Sequence, residues 1–259
     1  MNDLTGRRVA LVTGASRGIG AAIARRLAGD GLAVAAVARS RASLESLAQE
    51  LGDAGGRVEP IAADLADPTA ADRVAREVLE RFGRLDVLVH NAGVGGPYQR
   101  AHEIDPATWR NVFAVNVDAL MHLCRVAIPA MRAARFGRIV AIGSIYAFRA
   151  GEGSAAYVAS KHAVVGYVRS LAVELGRDGI TANAVCPGFT DTDMLASLGP
   201  EQITRLREAT PLKRLASPDE IAALVALLAG DGGGYLSGAA IPLDGGFLAG
   251  PGLPALPAR

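Results

Sequence analysis

Short, almost unbroken apolar runs alternate along this chain with longer stretches in which apolar residues recur every three or four positions. The runs from Arg8 to Thr13, Leu32 to Ala38, Val58 to Ala62, Asp86 to His90, Arg138 to Gly143, Thr181 to Cys186 and Ala239 to Leu243 predict seven strands. Helical spacing covers Ile19 to Ala28, Ser43 to Leu51, Thr69 to Phe82, Asp105 to Arg135 and Ala155 to Arg177. Gly29 and Gly31 stop the first helix, and Asp67-Pro68 is expected to cap and open the third. Ser217-Pro218-Asp219-Glu220 caps a last helix. Strands that are apolar on both faces belong to a parallel sheet covered by helices on both sides, so the expected class is α/β. Neither a repeat nor a linker interrupts the alternation. Residues 1–259 read as one domain, with a mixed polar and apolar flap at about 189–211 and a proline-rich tail from Pro251 to Arg259.

Composition narrows the function classes. Half of the 259 residues are apolar, enough for a sizeable core. A net charge of +1, with both signs interspersed, gives no electrostatic reason to expect nucleic acid or an anionic membrane as partner. No apolar run reads as long enough to span a bilayer. Cys124 and Cys186 lack paired spacing, which points to a reduced, cytoplasmic protein. No His, Cys or carboxylate cluster has metal-ligand spacing, so no catalytic metal is expected. Of 27 basic residues only Lys161 and Lys213 are lysines. That bias makes each lysine informative.

Between the first strand and the first helix lies Thr13-Gly14-Ala15-Ser16-Arg17-Gly18-Ile19-Gly20. Glycines there let a backbone approach a pyrophosphate closely, and the helix N-terminus offers it free N–H groups. The spacing is G-x-x-x-G-x-G, and by itself it also fits an ordinary tight strand-to-helix turn. The second strand ends Val37-Ala38-Arg39-Ser40-Arg41, without the acid that would take a ribose diol. Arg39 and Arg17 are instead placed to flank a 2′-phosphate, so NADP(H) is expected over NAD(H). The competing reading leaves both as solvated surface arginines.

Tyr157 and Lys161 stand four apart on a predicted helix and share a face. A tyrosine with a pKa of about 10 is a poor base unless a nearby cation stabilises the phenolate. Lys161 supplies that charge, and its choice in an arginine-using chain suggests that a compact point charge is required. Ser144, at the carboxyl end of the fifth strand, is placed to hold a substrate oxygen beside Tyr157. Asn116, in Val115-Asn116-Val117, is an amide among apolar neighbours, suited to holding water or backbone near Lys161.

Taken together, these motifs resemble the short-chain dehydrogenase/reductase family over almost the whole chain. They are the glycine loop, Asp64-Leu65, Asn91-Ala92-Gly93, Asn116, Ser144, Tyr157-x-x-x-Lys161 and Pro187-Gly188 with Thr192 downstream. The resemblance implies a Rossmann-type doubly wound sheet of seven strands and, usually, a homotetramer built on the two long helices. It implies an Asn116–Ser144–Tyr157–Lys161 tetrad, with Asn116 ordering water for a proton relay and Lys161 also binding the nicotinamide ribose. Asp64 would meet the adenine, Asn91, Ala92 and Gly93 the ribose side, and Pro187, Gly188 and Thr192 the nicotinamide end. His90 departs from the asparagine more usual before Asn91, and it reads as a satisfied buried histidine.

Within the family, the chain is most similar to 3-oxoacyl-carrier-protein reductases and to ketoreductases of aromatic polyketide pathways. Arg135 fits one basic position that would meet an acyl carrier protein, whereas Asp178 falls where a second base would help. Three loops should line the substrate pocket with Tyr98, Ile145, Tyr146, Phe148, Phe189 and Met194, favouring an apolar or aromatic ketone. Arg149 meets an acidic group or is simply solvated. The expected function is NADPH-dependent reduction of a ketone, either a small molecule or a thioester. The alternatives are oxidation of a secondary alcohol, and a non-catalytic NADP-binding regulatory protein.

Overall fold

The computed structural model describes residues 6–196 and 198–250, so the proline-rich tail lies outside the described residues. The seven strands are β1 (Val9–Thr13), β2 (Ala33–Ala38), β3 (Arg57–Ala62), β4 (Val87–His90), β5 (Gly137–Ile142), β6 (Ile180–Pro187) and β7 (Ala240–Leu243). All pair in parallel, in the order β3-β2-β1-β4-β5-β6-β7. This is the Rossmann-type doubly wound sheet. The eight helices among the described residues are α1 (Gly18–Gly29), α2 (Arg41–Asp53), α3 (Ala70–Phe82), α4 (Pro106–Phe113), α5 (Ala119–Ala134), α6 (Ala155–Leu175), α7 (Pro200–Ala209) and α8 (Pro218–Ala229).

The apolar strands are explained by burial on both faces. Along β1, Val9 and Leu11 pack into one core with α3, α5 and α6, while Ala10 and Val12 pack into the other with α1, α2 and α8. Each fully buried Leu, Ile or Val contributes roughly 1.5–3 kcal/mol relative to exposure. An isolated polar substitution in these strands therefore costs a large part of a domain's net stability.

Three local expectations change. Asp67 does not cap the third helix. Its carboxylate accepts from Thr69 N and Thr69 Oγ1, both at 2.9 Å, closing a turn before the helix, and α3 starts at Ala70 with Thr69 as its N-cap residue. The helix expected from Asp105 to Arg135 is not uniformly α. Ala114–Asp118 form a π turn centred on Asn116, which joins α4 to α5. The helix from Pro106 to Ala134, at 29 residues, is long and apolar enough to cross a membrane by length and composition. Reading the apolar runs separately misses this. Here Leu120, Leu123, Cys124, Ala127 and Met131 are spent on the core against the sheet and α3.

Because β1 neighbours both β2 and β4, chain direction diverges at their carboxyl ends. That is where an open α/β sheet leaves a crevice for ligands. The glycine loop, Asn91–Gly93, Ser144 and Pro187–Gly188 all follow strands at this edge.

Candidate active site

The glycine loop is shaped by close packing as much as by turning. Gly14 has φ +66°, a left-handed conformation that disfavours any side chain. A Cβ on Gly20 would lie 2.1 Å from the Gly14 carbonyl oxygen, so only glycine lets α1 begin this close to the strand end. Asn91 Nδ2 donates to the carbonyls of Thr13 (3.0 Å) and Gly14 (3.2 Å), while Thr13 Oγ1 accepts from Asn91 N and Ala92 N at 3.0 Å. These bonds fix Asn91 and Ala92 against the loop. At the start of α1, Arg17 makes no side-chain cap and no acid stands in the first turn. The orphan N–H groups and the positive end of the helix dipole therefore face the crevice unopposed. Ser16, Gly18 and Ile19 line the same turn, partly exposed. The cradle fits a dinucleotide pyrophosphate, with its bare backbone donors and with no acid in the helix's own first turn.

The two arginines behave differently. Arg39 is exposed directly after β2 and has no acidic partner among the described residues. Arg17 is paired across the crevice with Asp193 of the flap, at 3.3 Å. Thr192 approaches the loop too, since its Cγ2 would lie 3.3 Å from a Cβ on Gly18. Asp64 is exposed and accepts from Ala66 N, and Leu65 is buried in the core beneath it. At the other end, Gly188 follows β6 and hydrogen-bonds Leu243, with Asp244 so near that a Cβ would come within 2.8 Å.

The four residues expected to transfer protons converge from three elements. Lys161, on α6, is 4% exposed, and its Nζ donates to the Ile142 carbonyl at 2.7 Å. Nζ lies 5.5 Å from the centre of the Tyr157 ring. No carboxylate accompanies it, and burial lowers its pKa to about 8. Gly93 leaves the room for this ammonium, because a Cβ there would stand 3.5 Å from Nζ and 3.3 Å from Asn116 Oδ1. Burial raises the Tyr157 pKa, while hydrogen bonding from Ser144 acts in the opposite direction. Ser144 caps the turn Ile145–Ala147 by accepting from Tyr146 N at 3.1 Å. With that lone pair used, its hydroxyl proton is available to a substrate oxygen.

Of the two tasks expected of the Asn116 side chain, holding water or holding backbone, the second is visible. Its Oδ1 accepts from Val94 N (2.8 Å), and its Nδ2 donates to the Val94 carbonyl (3.1 Å) and to Ser160 Oγ (2.9 Å). The amide thus clamps the loop after β4 onto α6. The sequence reading passes over Ser160, which in turn donates to the Tyr157 carbonyl at 2.7 Å. A serine three residues after Tyr157 is the available signal, because helical serines bond back by one turn. Phe247, described below, carries no such signal.

His90 is only half satisfied. Its Nδ1 lies 3.3 Å from Thr13 Oγ1, but Nε2 is buried without a hydrogen-bond partner. Burial, with the Lys161 charge second, lowers its pKa to about 3 and keeps the ring neutral.

The six substrate-loop residues divide. Ile145 is buried at the foot of the site, and Tyr146 meets Tyr157 edge-on at 6.0 Å between ring centres. Phe189 packs edge-on against Phe247 at 5.1 Å. Phe148 and Met194 are exposed at the mouth. Tyr98 is 66% exposed and lies over Gly153, on the rim instead of in the interior. A separate cleft of about 470 Å³ opens under the flap, lined by Thr192, Leu195, Leu198, Ile203 and Leu215 and not by Tyr157.

A family model described as enoyl-(acyl carrier protein) reductase matches residues 14–248. The chain belongs to the short-chain dehydrogenase/reductase family. It is therefore an oxidoreductase acting on alcohol and carbonyl groups. Cis-4-hydroxycyclohexanecarboxylate dehydrogenase of Sinomonas cyclohexanicum is 37% identical over 96% of this chain and 100% of its own. The 3-oxoacyl-(acyl-carrier-protein) reductase of Vibrio cholerae is 36% identical over 93% and 97%. Among solved structures, a Beutenbergia cavernae protein described as an NAD(P)-dependent gluconate 5-dehydrogenase, with NADP bound, superposes with a TM-score of 0.89. It is 42% identical and covers 95% of this chain and 98% of its own. An actinorhodin polyketide ketoreductase variant with NADPH gives a TM-score of 0.87 at 35% identity, covering 93% and 97%. These short-chain relatives include both carrier-protein enzymes and enzymes of free carboxylates.

Proposed function

We propose that this protein is an NADPH-dependent ketoreductase acting on a free, largely apolar ketone. The observation that carries this reading is a protonated Tyr157 beside the Ser144 hydroxyl, above a buried Lys161 with no counter-ion. The glycine loop, Asn91–Gly93, Arg39 and the Pro187–Thr192 segment would hold NADPH, whose nicotinamide would supply the hydride. Ser144 and Tyr157 both donate to the carbonyl oxygen, and Tyr157 surrenders its proton as negative charge develops there. Lys161 stabilises the phenolate left behind. Asn116 and Ser160 keep α6 and the loop after β4 in register, so that these atoms meet. Because burial holds the Tyr157 proton on at neutral pH, the reductive direction is favoured there. The same groups run the reverse oxidation of a secondary alcohol as pH rises.

NADP(H) is supported by Arg39, unpaired at the end of β2, and by the NADP-bound relatives. Arg39 stands where an acid would select NAD(H). A carrier protein is disfavoured as partner. Asp178 already engages Arg132 (2.8 Å) and Arg135 (3.4 Å), which offsets part of the positive charge that an acidic carrier would meet. Met121 on α5 and Val173 on α6 are exposed, and so are Leu227, Tyr235 and Leu236 in the segments before β7. They support a tetramer with two kinds of two-fold interface. Two buried, unbridged cysteines support a cytoplasmic location.

The test is Tyr157→Phe. Turnover of ketones falls by at least about a thousandfold, in the range of a lost general acid plus one oxyanion donor. NADPH affinity stays within a few-fold, as measured by fluorescence titration. Substantial residual turnover would remove Tyr157 from the proton-donor role. Full NADPH binding with no turnover of any ketone by the wild type would favour the non-catalytic alternative.

A further inference from the structure

At the mouth of the site stands a cation that the reaction does not use. Arg149 follows the Ser144 turn, anchored by its N–H to the Ile145 carbonyl at 3.1 Å. Its guanidinium lies 5.2 Å from the centre of the Phe247 ring, and Phe247 in turn packs on Phe189, two residues beyond Pro187. Arginine over an aromatic face is held in plane by cation–π attraction, which preserves the flat fork that binds a carboxylate by two parallel hydrogen bonds.

In a chain whose arginines are widely paired with acids, Arg149 has no acidic partner among the described residues. The acids nearest to it along these segments are already committed. Glu152 hydrogen-bonds Tyr98, raising the Tyr98 pKa. Asp244, three residues before Phe247, accepts from Gly246 N at 3.0 Å and Leu248 N at 2.7 Å, so both its oxygens are satisfied. The fork is thus free while its counter-ions are taken. The aromatic pair Phe189–Phe247 extends from this fork toward the segment that follows β6, and Tyr146 lines the other wall against Tyr157. The arrangement sets an exposed cationic anchor beside the aromatic pair that follows β6, at the same sheet edge as Tyr157.

Resting on the ketoreductase reading, we infer that Arg149, seated on Phe247, is a carboxylate-anchoring subsite. The substrate class is then an apolar, carbon-framework oxo acid whose carboxylate lies remote from the carbonyl. This accounts for an anchor point for an anion beside otherwise apolar neighbours, Tyr146, Phe189 and Phe247.

Binding and turnover are read separately. The full-length protein, saturated with NADP⁺, is titrated calorimetrically with cyclohexanecarboxylate and with its neutral isostere cyclohexanecarboxamide. The wild type binds the carboxylate about tenfold more tightly, the scale of one charge-assisted bidentate contact. Arg149→Gln removes that gap, and Arg149→Lys restores part of it. Equal affinity of the wild type for the two ligands, or binding of neither, overturns the subsite. With 4-oxocyclohexanecarboxylate and its methyl ester as substrates, Arg149→Gln raises the ratio of the acid KM to the ester KM about tenfold. An unchanged ratio overturns the inference. A protein that prefers the carboxylate in the titration but oxidises NADPH with no ketone retains the subsite and loses the ketoreductase reading.

Discussion

Lys161 shows how a single residue can be read from composition and then explained by burial. Its rarity in an arginine-using chain marks it, but only the structure shows an ammonium wrapped by Gly93, Ile142 and Tyr157 without a carboxylate. Burial disfavours the charged form, so the pKa falls to about 8 and the ammonium titrates inside an accessible range. The sign follows directly. Below pH 8 the charge is present and Tyr157 can leave a stabilised phenolate. Above it the charge is lost, and each further pH unit removes about tenfold of the competent form. Reductive kcat/KM is expected to be level from about pH 6 to 8 and to fall above. A profile flat to pH 10 would show that the ammonium is not needed.

At the scale of elements, strand ends and helix starts place the chemistry. β2 pairs with β1 from Ala33 to Val37, the last pair being Thr13 with Val37, so Arg39, directly after β2, emerges beside the glycine loop that follows Thr13. An acid at this strand end would accept the two ribose hydroxyls, whereas arginine meets a 2′-phosphate. Arg39→Asp is therefore expected to lower the kcat/KM ratio for NADPH over NADH by at least about tenfold, one charge-assisted contact. Steady-state rates with both cofactors measure it, and an unmoved ratio would mean that Arg39 does not meet the phosphate. The π turn at Ala114–Asp118 is the element that periodicity does not disclose. A five-residue shift of backbone bonding leaves the apolar spacing on either side nearly intact. Its effect is to aim Asn116 at Val94 and Ser160. Likewise Asp67-Pro68 has the composition of a helix start but serves as the turn before one, because the Asp67 carboxylate bonds Thr69 and α3 begins a residue later.

For the whole molecule, several large apolar side chains remain exposed after the cores have formed. Val173, 89% exposed, and Met121 mark the α5–α6 face, while Tyr235 and Leu236 mark the edge beside β7. Isologous pairing on two different faces generates a closed tetramer, which leaves no open surface for further growth. Met121→Glu with Val173→Glu is expected to convert a tetramer into dimers in sedimentation velocity, since opposed carboxylates at a two-fold axis repel. A wild type that sediments as a monomer would remove the proposal.

Sequence alone determined the seven parallel strands, the position of the glycine loop after the first of them and the shared helix of Tyr157 and Lys161. It could do so because each depends on local periodicity or on a fixed spacing within one helix or turn. Helix boundaries, the π turn, the Asn116 clamp, the unpartnered Nε2 of His90 and the Arg17–Asp193 pair were decided only by the tertiary structure. So was the stacking of Arg149 on Phe247, 98 positions away along the chain. These contacts join residues that no period relates. They form only when the sheet closes its two cores and brings the loops of six strand ends to one edge.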